Sequence, residues 1–203
     1  MEFPLPSLDH SGECLVGDLI AFRGRGLLAA GIQLATGSLP GFGLSHVAVV
    51  VQTKQGHPPL IAESTSLSKT ACIWTGKRTL GVQVHSLVHR MRHYHGKIWH
   101  YPTRGVWPTQ GDVRLSAFVR STLGTAYDPA GAFHCRSTPL NWLRRKLLGS
   151  TENRTSLFCS EFVAAAWQAA GVWDPPNVSE WSPNKLVRTA TQTGIIGMPR
   201  RLK

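Results

Sequence analysis

The spacing of apolar and polar residues divides the chain into an early run of short strands and a later set of helices. Val16-Gly-Asp-Leu-Ile-Ala-Phe22 reads as a strand behind a Gly-Asp turn. Leu27 to Ala35 reads as a helix that Thr36-Gly37 ends. The breaker-rich stretch Ser38 to Gly43 then delivers the chain to Ser45-His46. Val47 to Val51 is apolar at every position, the pattern of a strand in a sheet covered on both faces. Leu60 to Glu63, Ala71 to Trp74, Gly81 to His85 and Lys97 to Tyr101 supply further strands.

Beyond Pro102 the period changes. Asp112 to Leu123 is helical and Gly124 stops it, and Tyr127-Asp-Pro129 is a turn. Pro139 to Leu148 forms a short basic amphipathic helix, followed by a polar loop from Gly149 to Thr155. Phe158 to Gly171 is a strongly apolar helix, and Ser182-Pro183 cap and begin a last one reaching about Ala190. This order predicts an α+β fold: one domain over residues 1–203, with helices packed on a mostly antiparallel sheet.

Composition fits that reading. A chain of 203 residues with 42% hydrophobic content can bury a real core. No apolar run approaches the roughly 20 residues that span a bilayer. The first residues lack the basic stretch and apolar run of a secretory signal, so the default expectation is a cytoplasmic protein, with delivery by other means leaving no trace here. Net charge is +11, from 22 Lys and Arg against 11 Asp and Glu. The excess clusters at Lys77-Arg78, Arg90 to Lys97, Arg144 to Lys146 and Arg200 to Lys203, surfaces that attract anionic polymers or membranes. No nucleic-acid motif accompanies them, so no specific nucleic-acid partner is expected.

Four cysteines without a Cys-x-x-Cys pair argue against a disulfide framework. Cys14, Cys72 and Cys135 read as small buried apolar residues. His134 and Cys135 are adjacent and poorly placed to share a zinc ion. His85, His89, His93 and His95 cluster, and a helix capped by Ser86 puts His89 and His93 one turn apart, a spacing that can hold zinc. Arg90, Arg92 and Lys97 repel a cation there, so neither a metal nor another cofactor is expected.

Cys159 carries the chemistry. It opens the apolar helix, where the helix field of about half a positive charge favours a thiolate. A cysteine so placed drops from about 8.5 toward neutrality. Thr155 and Ser156 stand where they can cap the free amides. Glu161, two positions on, points away from Cys159 and cannot serve it. His46, at the start of an apolar strand, is the best base, the alternative being a core histidine satisfied by a carbonyl. Glu63 ends the next strand, 63 − 46 = 17 residues later, a separation that antiparallel pairing can bring side by side. It is either the group that orients the imidazole or an ordinary strand-end charge.

Gly17-Asp-Leu-Ile, Ser45-His46-Val-Ala-Val-Val, Ile61-Ala-Glu63, Gly124-Thr-Ala-Tyr127-Asp128 and Phe158-Cys159-Ser-Glu-Phe-Val, in that order, resemble the YiiX-type branch of the NlpC-type papain-like cysteine peptidases. In that branch the papain-like fold is circularly permuted, so the histidine precedes the cysteine. The likeness runs from about Gly17 to Gly171, with Ser182 to Leu186 as a candidate extension. It implies Cys159 as nucleophile, His46 as base and Glu63 as orienting residue. It also implies a substrate-side role for Tyr127, otherwise a half-buried turn aromatic. Ser45, Asp128 and Ser160, within the same motifs, are the further candidate substrate-binding residues. The stretch around 130–156 is longer than the pattern and reads as an insertion. The implied activity is hydrolysis of amide bonds in small peptides or peptidoglycan stem peptides. Acyl transfer or ester hydrolysis on lipids, as in the related lecithin:retinol acyltransferase type, and a binding module without turnover are the alternatives.

Overall fold

The computed structural model describes residues 14–25, 43–65, 70–105, 107–127, 156–174 and 181–203. The helix expected over Leu27–Ala35, the basic helix over Pro139–Leu148, Asp128, Cys135 and nearly all of the insertion lie outside them. The described elements are strands β1 (Leu19–Gly24), β2 (His46–Lys54), β3 (His57–Thr65) and β4 (Gly81–Ser86), helix α1 (Leu87–His93), strand β5 (Gly96–Tyr101) and helix α2 (Gly111–Thr122). Strands β6 (Ala126–Tyr127) and β7 (Ser156–Leu157), helices α3 (Cys159–Ala170) and α4 (Pro183–Gln192), and strand β8 (Arg200–Arg201) complete them.

Six strands form one sheet in the order β4-β3-β2-β1-β5-β8, every pairing antiparallel, while β6 and β7 pair in parallel. The result is a mixed α+β architecture. The apolar run Val47–Val51 of β2 has the expected cause, since both faces of the sheet are covered. Val47, Val49 and Val51 join Leu19, Ala21 and Ala62 under α2, α3 and α4. Ala48 and Val50 join Ile20, Phe22, Ile61 and Ile98 on the other face, beneath Leu87 of α1.

Helix α3 is apolar nearly all round because it is buried nearly all round: Cys159 through Ala166 and Trp167 are almost wholly shut from solvent. It packs on β2, β3 and α2. The indole N–H of Trp167 donates to the Gly17 carbonyl at 2.9 Å, which ties the helix to the turn before β1. Gly171 ends it with φ of +79°, where an L residue is strained. Ser182 caps α4 by accepting from the Lys185 amide at 3.3 Å, with Pro183 in the first turn, as the sequence indicates.

Three expectations change. The first strand starts at Leu19 rather than Val16, because Leu15 to Asp18 close a turn in which the Asp18 carboxylate accepts from the Leu15 amide at 2.8 Å. Ala71–Trp74 is a turn, not a strand: Gly76 N–H donates to the Cys72 carbonyl at 2.8 Å, and the Val84 amide donates to Cys72 Sγ at 3.3 Å. Arg200–Arg201, read as surface charge, also forms the edge strand β8 beside β5. Among the described residues no helix is long and apolar enough to cross a membrane.

Gly81 fixes how β6 meets the sheet. Its φ is +99°, and a Cβ there would run into the Thr125 carbonyl. Gly81→Ala should therefore destabilise the protein by more than the ~1 kcal/mol typical of a glycine lost at positive φ, read by urea unfolding. An unchanged midpoint would mean that β6 does not sit against β4.

Candidate functional site

His46 opens β2 and Glu63 lies near the end of β3, and strand alternation puts both on the face covered by α1. His46 shares that face with Ala48 and Val50, and Glu63 shares it with Ile61. His85 pairs in register with Ile61, so it stands on the same face. Ser86 caps α1 by accepting from the His89 amide at 3.4 Å, and this short helix carries Arg90 over the same spot.

The Glu63 carboxylate is wholly buried and takes four contacts. Its Oε2 lies 2.7 Å from His46 Nε2 and accepts from Arg90 Nη2 at 3.0 Å. Its Oε1 lies 2.8 Å from His85 Nδ1 and 2.7 Å from Arg90 Nε. The Nε contact is an ion pair whose N–H is not aimed at the oxygen, so the directed guanidinium bond is the one from Nη2.

Burial alone pushes the Glu63 carboxyl upward. The Arg90 charge and the hydrogen bonds from His46 and His85 outweigh it, and hold Glu63 well below the usual carboxylate range. An ionised carboxylate only accepts. The two imidazoles must then present N–H toward it, His46 through Nε2 and His85 through Nδ1. The second nitrogen of a neutral His46, Nδ1, is left with its lone pair.

Aromatic rings wall the imidazole. Phe22, opposite His46 across the β1–β2 pair, has its ring centre 5.3 Å away, and Tyr94 packs on Phe22 at 5.0 Å. The Tyr94 hydroxyl lies 3.2 Å from Ser45 Oγ. Burial pushes its phenol up, the Ser45 bond and Arg90 oppose this, and negative charge on Glu63 or Cys159 adds to it. Tyr94 is thus within electrostatic reach of both Glu63 and Cys159.

Cys159 is the first residue of α3, on the other face of the sheet, and is fully buried. The strands leading to α3 approach the sheet at one end. Strand β7 leads directly into Cys159, and β6 and β7 touch β4, where Gly81 opposes the last residue of β3, Thr65. Because β2 and β3 are antiparallel, that is also the end where β2 begins with His46.

Thr155 lies outside the described residues, and Ser156 belongs to β7. Phe158 occupies the cap position, and its amide donates to the Glu161 carboxylate at 2.9 Å. Glu161 is therefore spent on the helix start, consistent with its being unable to serve Cys159.

The remaining candidates separate. Ser45 is buried, with its hydroxyl accepting from the Gly24 amide at 2.9 Å and facing the Phe22 carbonyl and Tyr94. Ser160 is also buried and its hydroxyl donates to the Trp181 carbonyl, joining α3 to the segment before α4. Tyr127 sits in β6 opposite Leu157 of β7, one residue ahead of Phe158. Asp128 lies outside the described residues. His89 and His93 stack at 4.2 Å between ring centres, but His85 turns inward to Glu63. Burial lowers His89, as do the neighbouring cations.

Arg90, His85 and Tyr94 are the site residues that sequence reading missed. The signal for Arg90 was its place one turn beyond a Ser86 cap, near a lone strand-end carboxylate.

No protein-family model matches this chain, and no curated protein matches it in sequence. In structure it is similar to a solved protein described as metalloprotein yiiX from Escherichia coli O157:H7, DUF1105. The TM-score is 0.50 and the identity 21%, covering 78% of this chain and 67% of that one. At that identity the likeness is one of fold.

The Glu63 network ties stability to pH. A carboxyl whose folded value is depressed contributes stability above its unfolded value, near 4.3, and loses it as pH falls through the folded value. Glu63→Gln should cost about 3–5 kcal/mol in urea unfolding at pH 7, because Arg90 and the imidazoles lose their buried partner. That gap should narrow below about pH 4. A pH-independent gap would mean that Glu63 is not the ionised hub of this cluster.

Proposed function

We propose that the chain is a cysteine hydrolase of amide bonds built on a permuted papain-like fold of the YiiX type. The observation that carries this reading is the 2.7 Å contact of His46 Nε2 with an ionised, buried Glu63. It fixes one nitrogen as donor and leaves the other as base, at the end of the sheet where the cysteine helix starts.

In this reading His46 Nδ1 takes the proton of Cys159, and the thiolate attacks the amide carbonyl. Backbone amides at the start of α3, that of Cys159 among them, are the candidate donors to the oxyanion. The imidazolium then protonates the leaving amine, a thioester remains on Cys159, and water attacks it with His46 again as base. Glu63 stabilises the imidazolium without itself taking the proton. The resemblance makes a small peptide or peptidoglycan stem peptide the substrate, and the basic surface suits an anionic cell wall.

The solved neighbour is described as a metalloprotein. The residues here do not fit a metal at this site. Both oxygens of Glu63 already face imidazole nitrogens, and the Arg90 cation sits against it. Among the described residues, no group of three or more His, Cys, Asp or Glu is arranged to hold an ion.

One observation favours a second reading. Cys159 is wholly buried and its helix lies across the sheet from His46, which suits a binding module whose thiol is a core residue. Turnover separates the two. With a stem peptide as substrate, Cys159→Ala and His46→Ala should each lower kcat by at least about 10⁴-fold while far-UV circular dichroism stays unchanged. Incubation with phospholipid in parallel distinguishes acyl chemistry on lipid. Parent-level turnover by Cys159→Ala would end the hydrolase reading, and hydrolysis of phospholipid alone would replace the substrate.

A further inference from the structure

Outside the proposed reacting pair, the most heavily built feature is the set of groups behind Glu63. Arg90 reaches the carboxylate from α1, and its guanidinium lies 5.7 Å from the centre of the Phe22 ring and 5.9 Å from that of Tyr94. Aromatic faces attract a partly buried cation and hold its position. His85 comes from β4 and is itself buried, and its Nε2 has no hydrogen-bond partner among the described residues. The groups facing Glu63 are thus His46 from β2, His85 from β4 and Arg90 from α1, with the Tyr94 phenol beyond. Arg90 is the one permanent cation among the contacts.

We propose that Arg90 is a positioning residue: together with His85 it keeps Glu63 a fixed anion, and through Glu63 it sets the proton of His46 on Nε2. The inference deepens the hydrolase reading and rests on it for its bearing on catalysis, but the proton placement stands without turnover. The physics is a choice between two charge states. With Arg90 in place, the buried carboxylate is compensated and accepts from both imidazoles. Without Arg90 the buried anion loses that compensation, and the carboxyl relieves it by taking up a proton. A protonated carboxyl donates, so one imidazole must then offer it a lone pair and carry its own proton on the far nitrogen. For His46 that moves the proton to Nδ1, the nitrogen needed as base. His85 fixes the second oxygen, so that the carboxylate cannot swing away from His46.

The test is side-chain nitrogen NMR of the histidines on the full chain at pH 8, where neutral tautomers are resolved. The parent should show His46 with the proton on Nε2 as its dominant form. Arg90→Met should lose that dominance and lower kcat/KM on a stem peptide by about 10- to 100-fold, the rough range for an outer partner that orients a functional histidine. Arg90→Lys, which keeps the charge without the fork, should restore Nε2 protonation and part of the rate. Should Arg90→Met fail to fold, Arg90→Gln keeps a donor near Glu63 without the charge and carries the same comparison. A purely structural role would lower the unfolding midpoint and leave the tautomer alone, so Nε2 dominance retained in a folded, uncharged variant overturns the proposal. Failure of the hydrolase reading looks different: parent turnover in Cys159→Ala with the tautomer shift intact.

Discussion

A carboxylate removed from water survives as an anion only if its surroundings supply the donors and charge that solvent would have given. At Glu63 those come from three separate elements, β2, β4 and α1, and their meeting constrains much of this end of the molecule. The register of β3 between β2 and β4 has to bring His46 and His85 to the same carboxylate. The short helix α1 has to begin at Ser86 for Arg90 to arrive over the sheet. A slip of one residue in β3 would turn Glu63 to the other face and strand Arg90 beside apolar side chains.

The sequence made much of this legible and left out its centre. Periodicity located β2 through β5, α2, α3 and α4, because buried apolar runs and their caps are local signals. The pairing of His46 with Glu63 was legible from 17 residues of separation and a hairpin between. Arg90 was not, because it sits in a stretch of cations, Arg90 to Lys97, that reads as solvated surface charge. Only the strand register and the angle of α1 turn that one arginine inward. The same reasoning explains the Phe158 cap. A polar residue just before the helix is the usual cap, whereas here Glu161 reaches back to the Phe158 amide, a contact set by the helix itself. Ala71–Trp74 has the composition of a strand but lies in a turn that hydrogen bonds around Cys72 close.

His46 and Cys159 belong to opposite faces of one sheet. The acid–base cluster lies under α1, and the sulfur lies at the start of α3 on the opposite face. β2 begins at the end of the sheet that β6 and β7, the strands leading to α3, also approach. Such a division leaves the His46 imidazole held from the α1 side by Glu63, with Arg90 behind it. In the proposed chemistry the central sheet, and not either helix alone, sets the distance between thiol and base.

The proposed chemistry depends on that distance, and a short bifunctional reagent probes it directly. Treatment of the native protein with 1,3-dibromoacetone, followed by digestion and peptide mass spectrometry, should join the peptide containing Cys159 to the one containing His46. Alkylation of Cys159 alone, or its linkage to a different residue, would rule out the proximity of thiol and imidazole.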